Sequence, residues 1–137
     1  MDDKVHWVED VLRYADTDAN GHVNNTVFSV LCESGRVGLF AAHLTPLLER
    51  GTFFVIARLA IDFRAELHYP GRTRTGSWIE AVGRSSIRFG QEIVSGGTVA
   101  ARAESVCVLM DRATRRSTPL PDPVRAAAEA LLRPARP

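Results

Sequence analysis

From residue 53 to residue 67 every second side chain is apolar. Phe53, Val55, Ala57, Leu59, Ile61, Phe63, Ala65 and Leu67 alternate with a set that includes Arg58, Asp62, Arg64 and Glu66. Period 2 puts the first set on one face of an extended strand and the second set on the other. The run is longer than a usual strand, so it has to twist and curve. Its apolar face, formed by Phe53, Val55, Leu59, Ile61 and Phe63, needs a cover. Residues 24–44 offer one. They contain no proline and no period-2 alternation, and they are apolar or small almost all round, through Val27, Phe28, Val30, Leu31, Val37, Leu39 and Phe40. Such a run predicts a buried helix of about five turns. Ser34, Gly35 and Gly38 would let neighbouring backbone come close. Glu33 and Arg36 are its polar exceptions, three residues apart and so able to face each other.

The remaining segments fit around this pair. Residues 5–14 read as a strand and 15–23 as a polar loop. Tyr69-Pro70-Gly71 ends the long strand. Further strands fit residues 76–84 and 87–94, then Ser95-Gly96-Gly97-Thr98 makes a two-residue hairpin turn into a last strand over 99–110. Strands in series joined by tight turns form an antiparallel meander. Leu120-Pro121-Asp122-Pro123 introduces a short peripheral helix over 122–133. Asp122 is its expected N-cap, Val124, Ala127, Ala128 and Leu131 are its apolar stripe, and a frayed tail follows. No repeat, linker or low-complexity tract divides the chain. The economical packing is one α+β domain over 1–137: an antiparallel sheet wrapped around one long central helix, with a core at about 5–112 and an extra C-terminal helix.

Composition excludes several function classes. The chain has 137 residues, 45% hydrophobic and 24% charged, with a formal net charge of +1. One domain suits this length, and no strong field favours nucleic acid or a membrane surface. The positive charge is almost all arginine, which suits bidentate contact with phosphate, though single surface arginines usually just face solvent. Cys32 and Cys107 are isolated and lack metal-ligand spacing, and reduced thiols fit a cytoplasmic location. No apolar stretch reaches the length of a membrane span, and Met1-Asp2-Asp3-Lys4 has the wrong charge for a signal peptide.

The chemistry concentrates in Asp16-Thr17-Asp18-Ala19-Asn20-Gly21-His22, just before the long helix. Two carboxylates, an amide and an imidazole there face a helix start, whose free N–H groups and positive dipole end favour an anion. A bland reading has Asp and Asn forming Asx-turns and capping the helix. A calcium reading notes that Asp16-x-Asp18-x-Asn20-Gly21 matches half of an EF-hand loop, but the twelfth position is Val27 instead of Glu and a strand precedes the loop.

The run from Arg13 to Asn25, with Asp-Thr-Asp and Gly-His-Val-Asn-Asn, followed by Phe28 and Glu33-Ser34-Gly35-Arg36, resembles the hotdog-fold acyl-CoA thioesterases, the 4-hydroxybenzoyl-CoA thioesterase-like group. Ile61-Asp62-Phe63-Arg64 and Pro70-Gly71 also resemble that family's second strand and turn. A tyrosine commonly stands in the family where this chain has Phe28. The resemblance covers about residues 5–112 and implies a hotdog fold and hydrolysis of an acyl thioester of coenzyme A, or of an acyl carrier protein. It implies Asp18 as the catalytic carboxylate, attacking directly or activating water, with Asn20, His22 and Glu33 as further catalytic residues. It implies Gly21 and Val23 beside His22 as presenting backbone N–H groups to the carbonyl, with Asn24 and Asn25 near the substrate or capping the helix. No cofactor, metal, nucleic acid or membrane is expected. A homodimer or homotetramer built edge to edge is. Arg72, Arg74, Arg84, Arg88, Arg112, Arg115 and Arg116 are candidates to meet coenzyme phosphates. A non-catalytic acyl-CoA binder on the same fold is the alternative, although binding alone would not need the carboxylate.

Overall fold

A computed structural model describes residues 2–133; the tail beyond them lies outside the described residues. The elements run β1 (His6–Leu12), a 3-10 turn (Tyr14–Asp16), α1 (Asn25–His43), a second 3-10 turn (Thr45–Leu47), β2 (Thr52–Phe63), β3 (Gly71–Val82), β4 (Ser86–Ser95), β5 (Thr98–Asp111), the two-residue β6 (Arg116–Ser117) and α2 (Asp122–Ala130). The sheet order is β1-β3-β4-β5-β2, every pairing is antiparallel, and β6 adds to β5. The sheet curls around α1, which is the hotdog arrangement. Among the described residues no helix is long and apolar enough to cross a membrane.

Helix α1 is seated by its glycines. A methyl group at Gly35 would lie 2.8 Å from Ser77 Oγ and from Thr75 Cγ2, and one at Gly38 would lie 2.5 Å from Val8 Cγ2. Both positions therefore need glycine for contact and not for backbone angle. Arg36 does not pair with Glu33. It is buried, 6% exposed, and donates to Gln91 Oε1 at 3.2 Å, while Glu33 faces solvent. The expectation of a helix buried all round also needs correction. Val30 and Val37 are 59% and 56% exposed, because α1 lies over β1, β3 and β4 and leaves its other flank open.

The long alternating strand corrects the sequence reading most. Ile56 pairs with Cys107 and Arg58 with Val106, so Ala57 is an extra residue, a β-bulge. A bulge inverts side-chain parity. Before it, Phe54 and Ile56 lie opposite Leu109 and Cys107 on the inner face; after it, Leu59, Ile61 and Phe63 do so opposite Ser105, Ala103 and Ala101. Phe53 and Val55 therefore point outward, and the Arg112 guanidinium covers the Phe53 ring at 4.8 Å. Phe54 takes the core position, stacked on Phe40 of α1 with centroids 4.9 Å apart. The strand also ends at Phe63, yet Leu67 stays buried at 2% exposure as part of the core.

Two further boundaries move. β3 begins at Gly71, directly after the turn, and not at residue 76. At α2 the N-cap is Pro121, and Asp122 occupies the first helical turn. That helix is less peripheral than expected. Val124 and Ala128 are fully buried against Leu39, Leu44, Ile79 and Phe89, closing one end of the core. The hairpin after β4 is as expected, with Gly96 and Gly97 at φ 56° and 79°.

The bulge yields a discriminating test. Phe54→Ala should cost roughly 2–4 kcal/mol of unfolding free energy, in the range of large-to-small core changes. Phe53→Ala should cost clearly less. Paired urea melts measure both, and a larger loss at Phe53 would show that the strand runs without the bulge.

Candidate active site

The loop between β1 and α1 is folded by its own polar groups. Asp16 is buried, and both its carboxylate oxygens are occupied: the Arg13 N–H donates to Oδ2 at 2.8 Å and Arg13 Nη2 to Oδ1 at 2.9 Å. Burial opposes ionisation of Asp16, but those hydrogen bonds and the Arg13 charge outweigh it and hold the carboxyl below its ordinary value. Its carbonyl accepts from Asn24 N–H at 2.8 Å, which fixes the helix entry. Asp16 is thus a structural residue.

Asp18 is placed differently. It is half-buried, its Oδ1 accepts from the Asn20 N–H at 2.9 Å, and its second oxygen has no protein partner among the described residues. Its N–H donates to His22 O at 3.0 Å and its carbonyl accepts from Gly21 N–H at 3.1 Å, closing a turn in which Gly21 has φ 83°. A positive φ of this size is why glycine stands there. Asn20 is exposed at the tip of the turn.

The helix begins where the sequence pattern puts it, so Gly21–Val23 lie before it and are not its first turn. Asn24 is the N-cap, and its Oδ1 accepts from Thr26 N–H and Thr26 Oγ1, each at 2.9 Å. Gly21 and Val23 do not present free N–H groups. Gly21 N–H is held by Asp18 O, and Val23 N–H donates to Leu67 O at 2.8 Å. Between Asp18 and Val27 the backbone N–H groups of Ala19, His22 and Asn25 have no protein partner among the described residues, and the last two belong to cavity-lining residues.

His22 and Asn25 line a cavity of about 320 Å³ at the junction of α1 and the end of β2, together with Val23, Phe28 and Phe63. Asp18, Asn20, Gly21 and Asn24 are not among its lining residues; Asp18 is joined to one lining residue by the bond from its N–H to His22 O. Glu33 is not part of it. Sequence reasoning missed Arg64, Ala65 and Glu66, which complete the wall. Glu66 lies between two histidines, with Oε1 3.8 Å from His22 Nε2 and Oε2 3.3 Å from His68 Nε2. The only sequence signal for it was its place in the alternating run of residues 53–67, beyond the end of β2. His22 Nδ1 lies 3.2 Å from Val23 O. Of the candidate phosphate-binding arginines, Arg74 and Arg112 are stacked on Trp7 and Phe53, and Arg88 lies 3.8 Å from Glu80. Among the described residues no group of three or more His, Cys, Asp or Glu side chains is placed to hold a metal ion.

A family model of the thioesterase-like superfamily matches residues 12–128. The chain belongs to that superfamily. It is a thioester hydrolase. Solved structures agree. A predicted thioesterase from Bacillus stearothermophilus is 28% identical with a TM-score of 0.88, over 96% of this chain and 99% of that one. A thioesterase from Thermus thermophilus, solved with coenzyme A and zinc, is 31% identical with a TM-score of 0.80, over 89% of this chain and 95% of that one. No curated protein matches the chain.

The contrast between the two aspartates has a thermodynamic consequence. A carboxyl whose folded pKa is depressed stabilises the fold fully above its unfolded pKa of about 3.9, and loses that contribution as pH falls through the folded value. Asp16→Asn should therefore lower stability at pH 7 by about 1–2 kcal/mol, the scale of a charged hydrogen-bonded pair. The gap to wild type should close on acidification below pH ~4. Melting curves between pH 7 and pH 3 test this; a gap that does not narrow in acid would remove the ionised Asp16 as its source.

Proposed function

We propose that this thioesterase hydrolyses acyl-CoA, with Asp18 as the reacting carboxylate. The carrying observation is the difference between the two aspartates: Asp16 has both oxygens engaged in the fold, whereas Asp18 is half-exposed with one oxygen free, in a turn bonded to a cavity-lining residue. The complex of the Thermus thermophilus relative with coenzyme A supports the choice of thiol.

The reaction needs a nucleophile and a place for negative charge. An aspartate has an unperturbed pKa of about 3.9 and is ionised at neutral pH. Asp18 either attacks the thioester carbonyl, forming an anhydride that water then cleaves, or takes a proton from water as the water attacks. The carbonyl oxygen becomes an oxyanion, and the thiol leaves with a proton. The unpartnered N–H groups of His22 and Asn25 lie at the positive end of α1 and serve as its donors. Asn20 positions water or substrate at the turn, and the His22 ring helps from the cavity wall. Buried thiols are poor rivals for the role: burial, only partly offset by the Arg36 charge, pushes Cys32 up to about 11.

An exposed apolar edge supports assembly with a second copy. β2 is an edge strand, and Ile56 and Phe63 on it are 47% and 52% exposed; Val30 and Val37 of α1 are exposed as well. An unpaired apolar edge is a liability that self-association removes. A dimer across β2 would bring the end of that strand, and with it the cavity, to the interface. Such a protein suits the cytoplasm, where acyl-CoA is formed and used.

Asp18→Asn should lower kcat at least about a hundredfold on acyl-CoA while the melting temperature and oligomer persist, as expected for loss of a base or nucleophile. Asp16→Asn should lower it much less. Retention of most activity by Asp18→Asn, or equal losses in both variants, would remove Asp18 from its role. Trapping with hydroxylamine tests for the anhydride of the nucleophilic route, and in single turnover in ¹⁸O-water an unlabelled product acid with ¹⁸O in Asp18 would place its cleavage at the Asp18 carbonyl. Light scattering at micromolar concentration should give at least a dimer, and a charged residue at Ile56 should weaken it; a monodisperse wild-type monomer would refute the proposed assembly.

A further inference from the structure

Two aromatic rings, Phe28 and Phe63, line the cavity beside the loop. Phe28 and Phe63 meet edge to face, with centroids 5.0 Å apart at 70°. Phe28 is 3% exposed and belongs to a packed cluster with Leu12, Leu31, Leu67 and Ile93, whereas Phe63 is 52% exposed at the end of β2. Nothing continues the space between α1 and the sheet. Cys32 and Ala101 behind the rings are fully buried, and at Gly35 helix and sheet touch too closely to admit a methyl group. Val23 and Ala65 complete this part of the wall. None of these four side chains can make a hydrogen bond. The polar part of the lining comes from His22, Asn25, Arg64 and Glu66, on the loops and helix start where the reacting end would lie.

We infer that the Phe28–Phe63 pair selects the acyl group, and that this group is compact and apolar: an unsubstituted aromatic or a short branched chain. This rests on the acyl-CoA reading above. A cavity of about 320 Å³ is small for a ligand site. A ring placed in it gains edge-to-face or offset contact with the two phenylalanines. A long chain meets a close-packed interior that does not yield. A hydroxyl or carboxylate pressed against Phe28, Val23 or Ala65 gains no hydrogen bond from them and loses water there.

The experiment is a thiol-release assay with benzoyl-, phenylacetyl-, isobutyryl-, 4-hydroxybenzoyl- and palmitoyl-CoA, read as kcat/KM. For the wild type, at least one of the first three should exceed both 4-hydroxybenzoyl- and palmitoyl-CoA by about tenfold or more, the scale on which a pocket rejects a misfit group. Phe28→Ala should raise the palmitoyl-to-benzoyl ratio by a similar factor; Phe28→Leu, a milder cut, serves if the alanine variant fails to fold. Phe63→Ala should depress the aromatic substrates more than isobutyryl-CoA. Palmitoyl- or 4-hydroxybenzoyl-CoA ranking first, or folded variants that scale every substrate equally, would overturn the inference and leave the thioesterase reading intact. Wild-type inactivity on the whole panel, with release from an acyl carrier protein thioester instead, would overturn both.

Discussion

The height of α1 above the sheet is set where Gly35 meets Thr75, Ser77 and Gln91. A single polar side chain organises that contact. Gln91, 1% exposed, donates to Cys32 O of the helix and to Ser77 Oγ of the neighbouring strand, both at 2.8 Å, and accepts from Arg36. A buried amide with its groups paired across two layers permits few alternative registers of helix on sheet, because each would leave polar atoms unpaired in a low-dielectric interior. The hydrophobic clusters on either side then pack around a helix whose position is already fixed. One holds Leu39, Phe89 and α2, and the other holds Phe28, Leu31 and Ile93. The start of α1, and with it the loop that carries Asp18, inherits that position.

How much of this was legible in the sequence depended on the range of the interaction. Gly35 and Gly38 stood out because a long apolar helix rarely carries glycine without close packing to justify it. The turn at Gly96-Gly97 and the cap at Asn24 are local, and local chemistry specifies them. Asp16 and Asp18 could be ranked through the family resemblance, but only the structure shows why they differ, since the deciding group is the Arg13 side chain folded back onto Asp16. The bulge at Ala57 was hidden for a specific reason. Residues 53–57 read Phe-Phe-Val-Ile-Ala, so both parities are apolar and period 2 cannot tell which one faces inward. Arg36 was misplaced because helical spacing offers Glu33 as a neighbour, whereas its real partner lies on β4. Glu66 entered the site through the bond from Val23 N–H to Leu67 O, a contact between distant segments that no pattern within either segment encodes.

The open flank of α1 and the edge strand β2 explain why the apolar character of both elements exceeded what one protomer can bury. α1 is apolar nearly all round, yet it lies over three of the five main strands. The inner face at the β2 edge is only half covered: Ile56 and Phe63 stay open there, and Val30 and Val37 stay open on the helix. The excess follows from sheet order. β2 is joined to β3 by residues 64–70 but pairs with β5, so it ends at the far edge from β1, where the helix meets it through Phe28 and Phe40 but covers it less than it covers β1, β3 and β4. A pattern that predicts burial without naming the burying partner is what a sequence selected for association would show.

Under the proposed mechanism, stability and chemistry share one helix start in the loop before α1. A helix offers N–H groups with no partner in its first turn, and a protein that needs only stability would satisfy them. Here Asn24 satisfies Thr26 through its side chain and Val27 through its carbonyl, and Asp16 O satisfies Asn24. Each of those bonds tightens the loop without using Asp18. Asn25 is left without a protein partner, and it lines the cavity along with His22. A buried polar network rigidifies when complete, and a preformed donor contributes most to a reaction when nothing has to move to free it. The loop meets both conditions by assigning its carboxylates separately: Asp16 holds the backbone in place, so Asp18 and the unsatisfied N–H groups are held still without being used up in holding it.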